Sequence, residues 1–411
     1  MDYEEAIDWL YGTQLFGIKL GLEGTQRLFE ALDLFPQLEN RIIVHVAGTN
    51  GKGSVCAMID SITRTADKRT GLFTSPHLIC FRERIRIDGC MISETEVATI
   101  LTELRDQVSN WESHPTFFEL TLALAVKYFC QQNVEVLVME TGMGGRLDAT
   151  NVLPSSLSVI TSIGLDHQQW LGEDLRSVTQ EKAGIIKNEI PVITSACQDE
   201  EVLDVLQQYA NKHHTQLHSV QAAAKINGFA LKGPHQRLNA ALAIAATKII
   251  LPKLTEKNIG KGLSEVNWPG RFDLREGNLV IDGAHNPAAM TALVTTWQEE
   301  YSQEQKVTIV FAAADSKEVS SMLSILAMIA ASFIFVKLTA KRGLETDALT
   351  AALQQSAASH IPHRTAIDVA DALKQSRLSD DPILITGSLF LAGDALSHCE
   401  QQTASFETSE Q

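Results

Sequence analysis

The sequence predicts an α/β protein of two domains: a larger N-terminal one with a mainly parallel sheet flanked by helices, and a smaller α/β domain after it. Three observations in the 411-residue chain carry that prediction. Apolar strand-like runs at 42–47, 70–74, 134–139, 158–163 and 192–194 alternate with longer helical stretches, the pattern of a largely parallel sheet with helices on both faces. A break rich in proline and glycine, Asn267-Trp268-Pro269-Gly270, interrupts the alternation. The alternation then restarts, with strand-like runs at 279–281, 307–311, 333–336 and 383–386.

The elements follow in order. The first forty residues read as helical, with Leu28, Leu32 and Phe35 at helical spacing. The run at 42–47 enters a glycine-rich turn, Gly48-Thr49-Asn50-Gly51-Lys52-Gly53-Ser54. Residues 240–250 form a strongly apolar helix. The break at 268–270 is a hinge between domains over 1–267 and 271–411. The polar tail from 400 to 411 is expected to fray.

Composition excludes several classes. A 45% hydrophobic content is ample for two cores. The net charge of −16 argues against non-specific nucleic-acid binding, which needs a basic face. Six scattered cysteines without a CxxC pair read as free thiols rather than a zinc site. The acidic start, Met1-Asp2-Tyr3-Glu4-Glu5, lacks the layout of a signal peptide. No apolar run approaches the ~18 residues of a membrane span. The expected setting is cytoplasmic.

The turn at Gly48 to Ser54 is the first candidate site. Successive backbone N–H groups there can face an anion, helped by the following helix N-terminus. Lys52 can reach outer phosphates and Ser54 can meet magnesium. The match to the common phosphate loop is imperfect: two residues separate Gly48 from Gly51 rather than four, and Gly53 separates lysine from serine. Nucleotide binding and an ordinary strand-to-helix turn both remain open on this stretch alone. Ligands of open α/β sheets gather at the carboxyl ends of strands, where Ser75, Glu140, Asp166 and His167 fall. Each alone could be a turn or helix cap. Glu140 is the best candidate metal ligand. Arg146, in a stretch with three glycines, could grip a carboxylate or phosphate or be solvated. Lys182 reads, on spacing, as a surface helix residue. Asp282-Gly283-Ala284-His285-Asn286-Pro287 could hold a nucleotide or an amino acid, or be a capped turn. Arg271 is placed to reach a γ-phosphate.

As an ordered set these motifs closely resemble the folylpolyglutamate synthase/dihydrofolate synthase family of Mur-type ATP-dependent amide ligases. The set runs from Phe16-Gly17-Ile18-Lys19-Leu20-Gly21-Leu22-Glu23 and the Gly48 loop through Thr74-Ser75-Pro76-His77-Leu78, Arg82-Glu83-Arg84-Ile85 and Thr116-Phe117-Phe118-Glu119. It continues with the stretch after Glu140, Leu165-Asp166-His167, Trp170-Leu171-Gly172, Glu181-Lys182-Ala183-Gly184-Ile185, Pro234-His235-Gln236-Arg237-Leu238-Asn239-Ala240, Trp268-Pro269-Gly270-Arg271 and the Asp282 turn.

The resemblance implies a P-loop domain that binds ATP and a pteroate, and a Rossmann-like C-terminal domain that binds glutamate. Lys52 and its loop would hold the ATP phosphates, with Asn239, Arg271, Asp282 and His285 contacting ATP. Ser54 and Glu140 would bind one magnesium ion; Ser75 and His167 would complete a second site with Glu140. Lys182 would carry a carbamate. Thr116, Phe118 and Asp166 would hold the pterin end of the pteroate, and Arg146, read above as a grip for a carboxylate or phosphate, is counted with them as substrate-binding. The implied substrates are ATP, L-glutamate and dihydropteroate or a reduced folate; the implied assembly is a monomer. The segment Phe311-Ala312-Ala313-Ala314-Asp315-Ser316-Lys317 departs from the family pattern of a glycine and a charged cluster. Two alternatives stand beside it: a Mur-type cell-wall ligase, against which the Phe16 and Thr116 motifs speak, and a P-loop hydrolase or sensor that forms no amide, against which the Asp282 turn speaks.

Overall fold

A computed structural model of the chain describes residues 1–17, 19, 21–222, 226, 228–302, 304–314, 318–338, 343–378 and 381–400. The expected fraying of 401–411 therefore lies outside the described residues.

Two sheets organise the fold. The first contains β1 (Ile42–Ala47), β2 (Thr70–Phe73), β3 (Ile85–Ile87), β4 (Cys90–Met91), β5 (Val136–Glu140), β6 (Leu157–Ile160), β7 (Val192–Ser195) and β8 (Leu217–Val220), in the order β4-β3-β2-β5-β1-β6-β7-β8. All neighbours are parallel except β2–β3 and β3–β4. The second contains β9 (Asp273–Arg275), β10 (Leu279–Ile281), β11 (Val307–Phe311), β12 (Ala330–Val336), β13 (His363–Ala366) and β14 (Ile383–Thr386), in the order β13-β12-β11-β14-β10-β9, with only β9 antiparallel. Central strands are buried along their length, so they read as apolar runs.

The strands that the sequence concealed are β3, β4, β8, β9 and β13. Four of them are the sheet edges, where one side of the strand meets no neighbour and polar residues such as His363, Arg364 and Thr365 are tolerated. The expected run at 158–163 also ends early. Beyond Ile160 the chain leaves the ladder, and the Ser162 carbonyl accepts the Thr49 N–H at 2.8 Å.

The helix Lys52–Arg64 follows β1 and is buried from Ser54 to Thr63. Helices Pro234–Ile250 and Glu256–Glu265 cover it. Gly262 makes that approach possible, since a Cβ there would fall 2.5 Å from the Ile62 Cα. Ser61 Oγ donates to the Gly262 carbonyl (2.7 Å), and Thr65 Oγ1 to that of Asn258 (2.9 Å). The chain preceding residue 266 is thus bolted to this helix.

Several contacts join the sheets' domains. Leu78 and Ile79, which follow β2, pack into the second domain's core with Ile281, Leu391 and Ala392. Glu83 fixes their backbone: its carboxylate accepts the N–H groups of Leu78, Ile79 and Cys80 at 2.8–2.9 Å. On another face Arg237 donates two hydrogen bonds of 3.2 Å to the Glu299 carboxylate, and Lys232 pairs with Glu300. Among the described residues no helix is long and apolar enough to cross a membrane.

Candidate active site in the cleft between the domains

A cleft of about 1200 Å³ opens where the carboxyl ends of both sheets face each other. Single-ligand pockets commonly enclose roughly 300–1,000 Å³, so this one has room for more than one substrate. Its walls come from the Thr49–Ser54 loop, the ends of β2 and β5, the 165–169 loop, the start of helix Pro234–Ile250, and residues 268–293 of the second domain.

The loop after β1 is shaped by its neighbours. Gly48 and Gly51 have φ of 154° and 89°. A Cβ on Gly48 would lie 1.8 Å from Thr161 Oγ1, and one on Gly51 2.6 Å from Asn239 Oδ1. Thr49 Oγ1 donates to the Gly164 carbonyl at 2.9 Å, tying the loop to the segment that carries Asp166 and His167. Lys52 Nζ lies over the loop, 3.2 and 3.3 Å from the carbonyls of Gly48 and Thr49. Ser54 Oγ is buried on the first helical turn and accepts from Gln236 Nε2, whose own Oε1 accepts from Asn239 Nδ2. Gln236 thus orders both Ser54 and Asn239. Sequence reading assigned it no role of its own, although it falls in the 234–240 motif, because a glutamine on an apolar helix does not reveal which side chains it will bond.

Glu140 ends β5, beside Val46 at the end of β1. Its carboxylate is buried and accepts the Ser75 N–H at 3.0 Å. Burial raises its pKa; the charges of Lys52, Arg271 and Arg84 pull the other way. A buried carboxylate facing a cleft without a bonded cation calls for one. Carboxylate and hydroxyl oxygens are the hard donors that magnesium prefers. Among the described residues no three His, Cys, Asp or Glu side chains form a metal cluster. A cation here would therefore draw further ligands from phosphate and water.

Asp166 and His167 reach the cleft from the loop after β6. His167 has φ of 50°, and its N–H donates to Asp166 Oδ1 at 2.8 Å. Desolvation in the cleft holds the imidazole below its ordinary pKa, Asp166 opposing and the Lys52 and Lys182 charges reinforcing.

Lys182 departs from expectation. It is buried, not on the surface, and Nζ donates to the Gly48 carbonyl at 2.9 Å. Its helix, Leu175–Ala183, turns this side chain inward beneath the glycine-rich loop. Desolvation first, and the Lys52 charge second, lower its pKa to about 7.

Thr116 caps the helix Phe117–Gln131 in a capping box with Glu119, whose carboxylate takes the Thr116 N–H at 2.7 Å. Phe118 packs on Phe73, ring centroids 5.8 Å apart, and both Thr116 and Phe118 line the cleft. Arg146 is not brought there. Its guanidinium lies on the outer surface and pairs with Glu181 Oε1 at 2.7 Å, because the 142–148 turn points it away from the cavity. Asp148 holds that turn from within: it accepts the N–H groups of Met143 and Thr150 and bonds Thr150 Oγ1, which meets the buried His45 Nε2 at 2.8 Å. An Asp two residues before a Thr is a turn signature that sequence reading can find.

From the second domain, Asp282 accepts the N–H groups of Phe272 and Ala284, both at 2.8 Å. Burial raises its pKa against the Arg271 charge. His285 Nδ1 sits 2.8 Å from the Gly283 carbonyl, which leaves Nε2 as an acceptor. Asn286 Nδ2 donates across the cleft to Asn50 Oδ1 at 3.2 Å. Of the divergent segment, Ala313 and Ala314 line the cleft, while Asp315, Ser316 and Lys317 lie outside the described residues, as do Ile18 and Leu20 of the first motif.

Residues 46–240 match the Mur ligase middle domain, and residues 270–389 match the Mur ligase, glutamate ligase domain. Fold and site therefore define an ATP-dependent Mur-type amide ligase. The chain is 33% identical over 428 residues to the dihydrofolate synthase/folylpolyglutamate synthase of Bacillus subtilis, across 95% of this chain and 98% of that one. Among solved structures, Mycobacterium tuberculosis folylpolyglutamate synthase complexed with ADP superposes with a TM-score of 0.86 at 30% identity, covering 97% and 99% of the two chains. E. coli FolC in complex with DHPP and ADP gives 0.86 at 26%, covering 96% and 98%. The Yersinia pestis bifunctional enzyme complexed with AMPPNP and Mn ion gives 0.85 at 27%, covering 97% and 98%. The chain belongs to the folylpolyglutamate synthase/dihydrofolate synthase family.

Proposed function

We propose that this chain joins the amine of L-glutamate to the carboxylate of dihydropteroate and of reduced, glutamylated folates, serving both acceptors. One observation carries the reading: Lys52 and the buried Glu140 from the first domain and Arg271 from the second line one cleft. A phosphoryl group at that spot would meet cations from both domains.

The chemistry follows from charge. The acceptor's carboxylate oxygen attacks the γ-phosphorus of ATP, giving an acyl phosphate and ADP. The glutamate amine then attacks the carbonyl; phosphate leaves and the nitrogen loses a proton. Two anions approach in the first step, and Lys52 and Arg271 offset that repulsion. Ser54 and Glu140 would hold one magnesium ion, with Ser75 and His167 joining Glu140 around a second; the metal would neutralise charge on the transferring phosphoryl group. Thr116, Phe118 and Asp166 would orient the pterin end, and Asn239, Asp282 and His285 the nucleotide. Lys182, with an amine near neutrality, would add carbon dioxide to become a carbamate, releasing a proton. The hinge at 268–270 would close the domains over the acyl phosphate and exclude water. A monomer in the cytoplasm is the proposed setting, in keeping with six unpaired cysteines.

The test is mass spectrometry of products formed from ATP and glutamate with either dihydropteroate or tetrahydrofolate. A glutamate added to each acceptor is expected; ADP release indifferent to acceptor and glutamate would overturn the reading. Lys52→Ala and His167→Ala are each expected to abolish glutamate-dependent ADP release in a folded protein, a loss of roughly 10²–10³ or more. Near-normal turnover in either would defeat that residue's role.

A further inference from the structure

Gly53 is the oddity of the phosphate loop, a glycine between its lysine and its serine. A Cβ there would come within 3.1 Å of Cζ2 and Nε1 of Trp268. The hinge tryptophan is therefore seated on the first turn of the loop's own helix. Arg86 lies over the same ring, its guanidinium carbon 5.7 Å from the centroid. Gly53, Trp268, Arg86 and Arg271 all border the cleft.

The chain on either side narrows the hinge to very few bonds. Val266 is buried in the first domain's core, and Trp268 packs on that same cluster. From Gly270 onward the backbone belongs to the second domain: the Gly270 carbonyl accepts the Gly283 N–H at 2.9 Å, and the Gly270 N–H donates to Asp273 Oδ2. The next turn is bound in the same way, Phe272 N–H to Asp282 Oδ2. Between these two fixed stretches lies Pro269, with the bonds on either side of it. Proline fixes one of those torsions, and Gly270 takes a φ of 70°. Trp268 is thus the last fixed point of one domain, and Arg271 is the first functional side chain of the other.

We propose that Trp268, wedged on Gly53, is a positioning residue that sets the pivot from which Arg271 is aimed at nucleotide on the phosphate loop. The ring bears on the loop helix; the three residues after it carry the guanidinium. A tilt of the ring on its seat therefore displaces Arg271 across the cleft, whereas the loop's own N–H groups, Lys52 and Ser54 stay where they are. This inference rests on the ligase reading above and adds to it the coupling of loop and hinge.

The prediction is a split between binding and turnover. In Trp268→Ala, ATP affinity measured by calorimetry stays within a few fold of wild type, while kcat at saturating substrates falls by about 10², the scale expected for a group misplaced by about 1 Å. Trp268→Phe, which keeps a flat ring on the seat, recovers most of kcat. Gly53→Ala, which pushes the ring by a few tenths of an ångström, lies between. A wild-type kcat in Trp268→Ala overturns the proposal. So does a loss that Trp268→Phe does not rescue, or one matched by an equal loss of ATP affinity. If Trp268→Ala does not fold, Trp268→Phe and Gly53→Ala decide: wild-type kcat in Gly53→Ala overturns it. Wild-type protein without ligase activity would instead defeat the functional reading itself.

Discussion

Replacing Lys182 by methionine separates the cost of burying this amine from its use. The fall in its pKa from 10.5 to about 7 corresponds to about 5 kcal/mol of penalty on the charged form, at about 1.4 kcal/mol for each pH unit. Below pH 7 the folded chain carries the whole penalty, since the amine is charged in both states. Between pH 7 and 10.5 the unfolded chain holds a proton that the folded chain has released, so wild-type stability rises with pH. Methionine fills a similar volume, has no charge, and loses only the bond to the Gly48 carbonyl, a pH-independent cost of about 1 kcal/mol. In urea unfolding without carbon dioxide, the advantage of Lys182→Met over wild type should therefore shrink by about 3 kcal/mol from pH 6 to pH 9. The variant should lack ligase activity throughout. Parallel stability curves would refute the depressed pKa, and an active Lys182→Met would refute any catalytic use of the amine.

Three further outcomes follow from the same geometry. Gly48→Ala places a methyl group 1.8 Å from Thr161 Oγ1 and should abolish ATP binding in calorimetry, because the loop must open to admit it. Glu140 has a pKa raised by burial, so its ionised form destabilises the metal-free fold as pH rises through and above 4.5. Glu140→Gln should therefore be the more stable protein at pH 7 in chelator, the gap closing at pH 4, and magnesium should raise the melting temperature of wild type only. Arg146→Ala should leave the KM for the pteroate within about twofold and lower stability by no more than about 1 kcal/mol, the range of exposed ion pairs; a larger rise in KM would restore the substrate role expected from sequence.

The central strands and the loop at Gly48 were legible because both sheet faces are covered, which forces continuous apolar runs, and because glycine is demanded wherever Thr161 or Asn239 presses on the backbone. Edge strands such as β13 were not legible, since burial never shaped them. Glu140 announced itself by ending a strand, and Asp166 and His167 by following one in the loop beyond. Lys182 and Arg146 were misread for one reason: the sequence gives the spacing of side chains along a helix or turn, not which face that element turns to its neighbours. Helix Leu175–Ala183 happens to direct its lysine under the loop, and the turn before Asp148 directs its arginine outward. The link from the Asp148–Thr150 turn to His45 lay hidden because His45 sits on a distant element, β1.

Leu78 and Ile79 give the two halves a shared fate. A second domain produced by itself from residue 271 onward would expose the socket that these two side chains fill against Ile281, Leu391 and Ala392. A first domain cut at 267 would carry a greasy peg into water. Each fragment would then tend to clump or to seek its missing counterpart, so swapping either half between relatives succeeds only if peg and socket travel together.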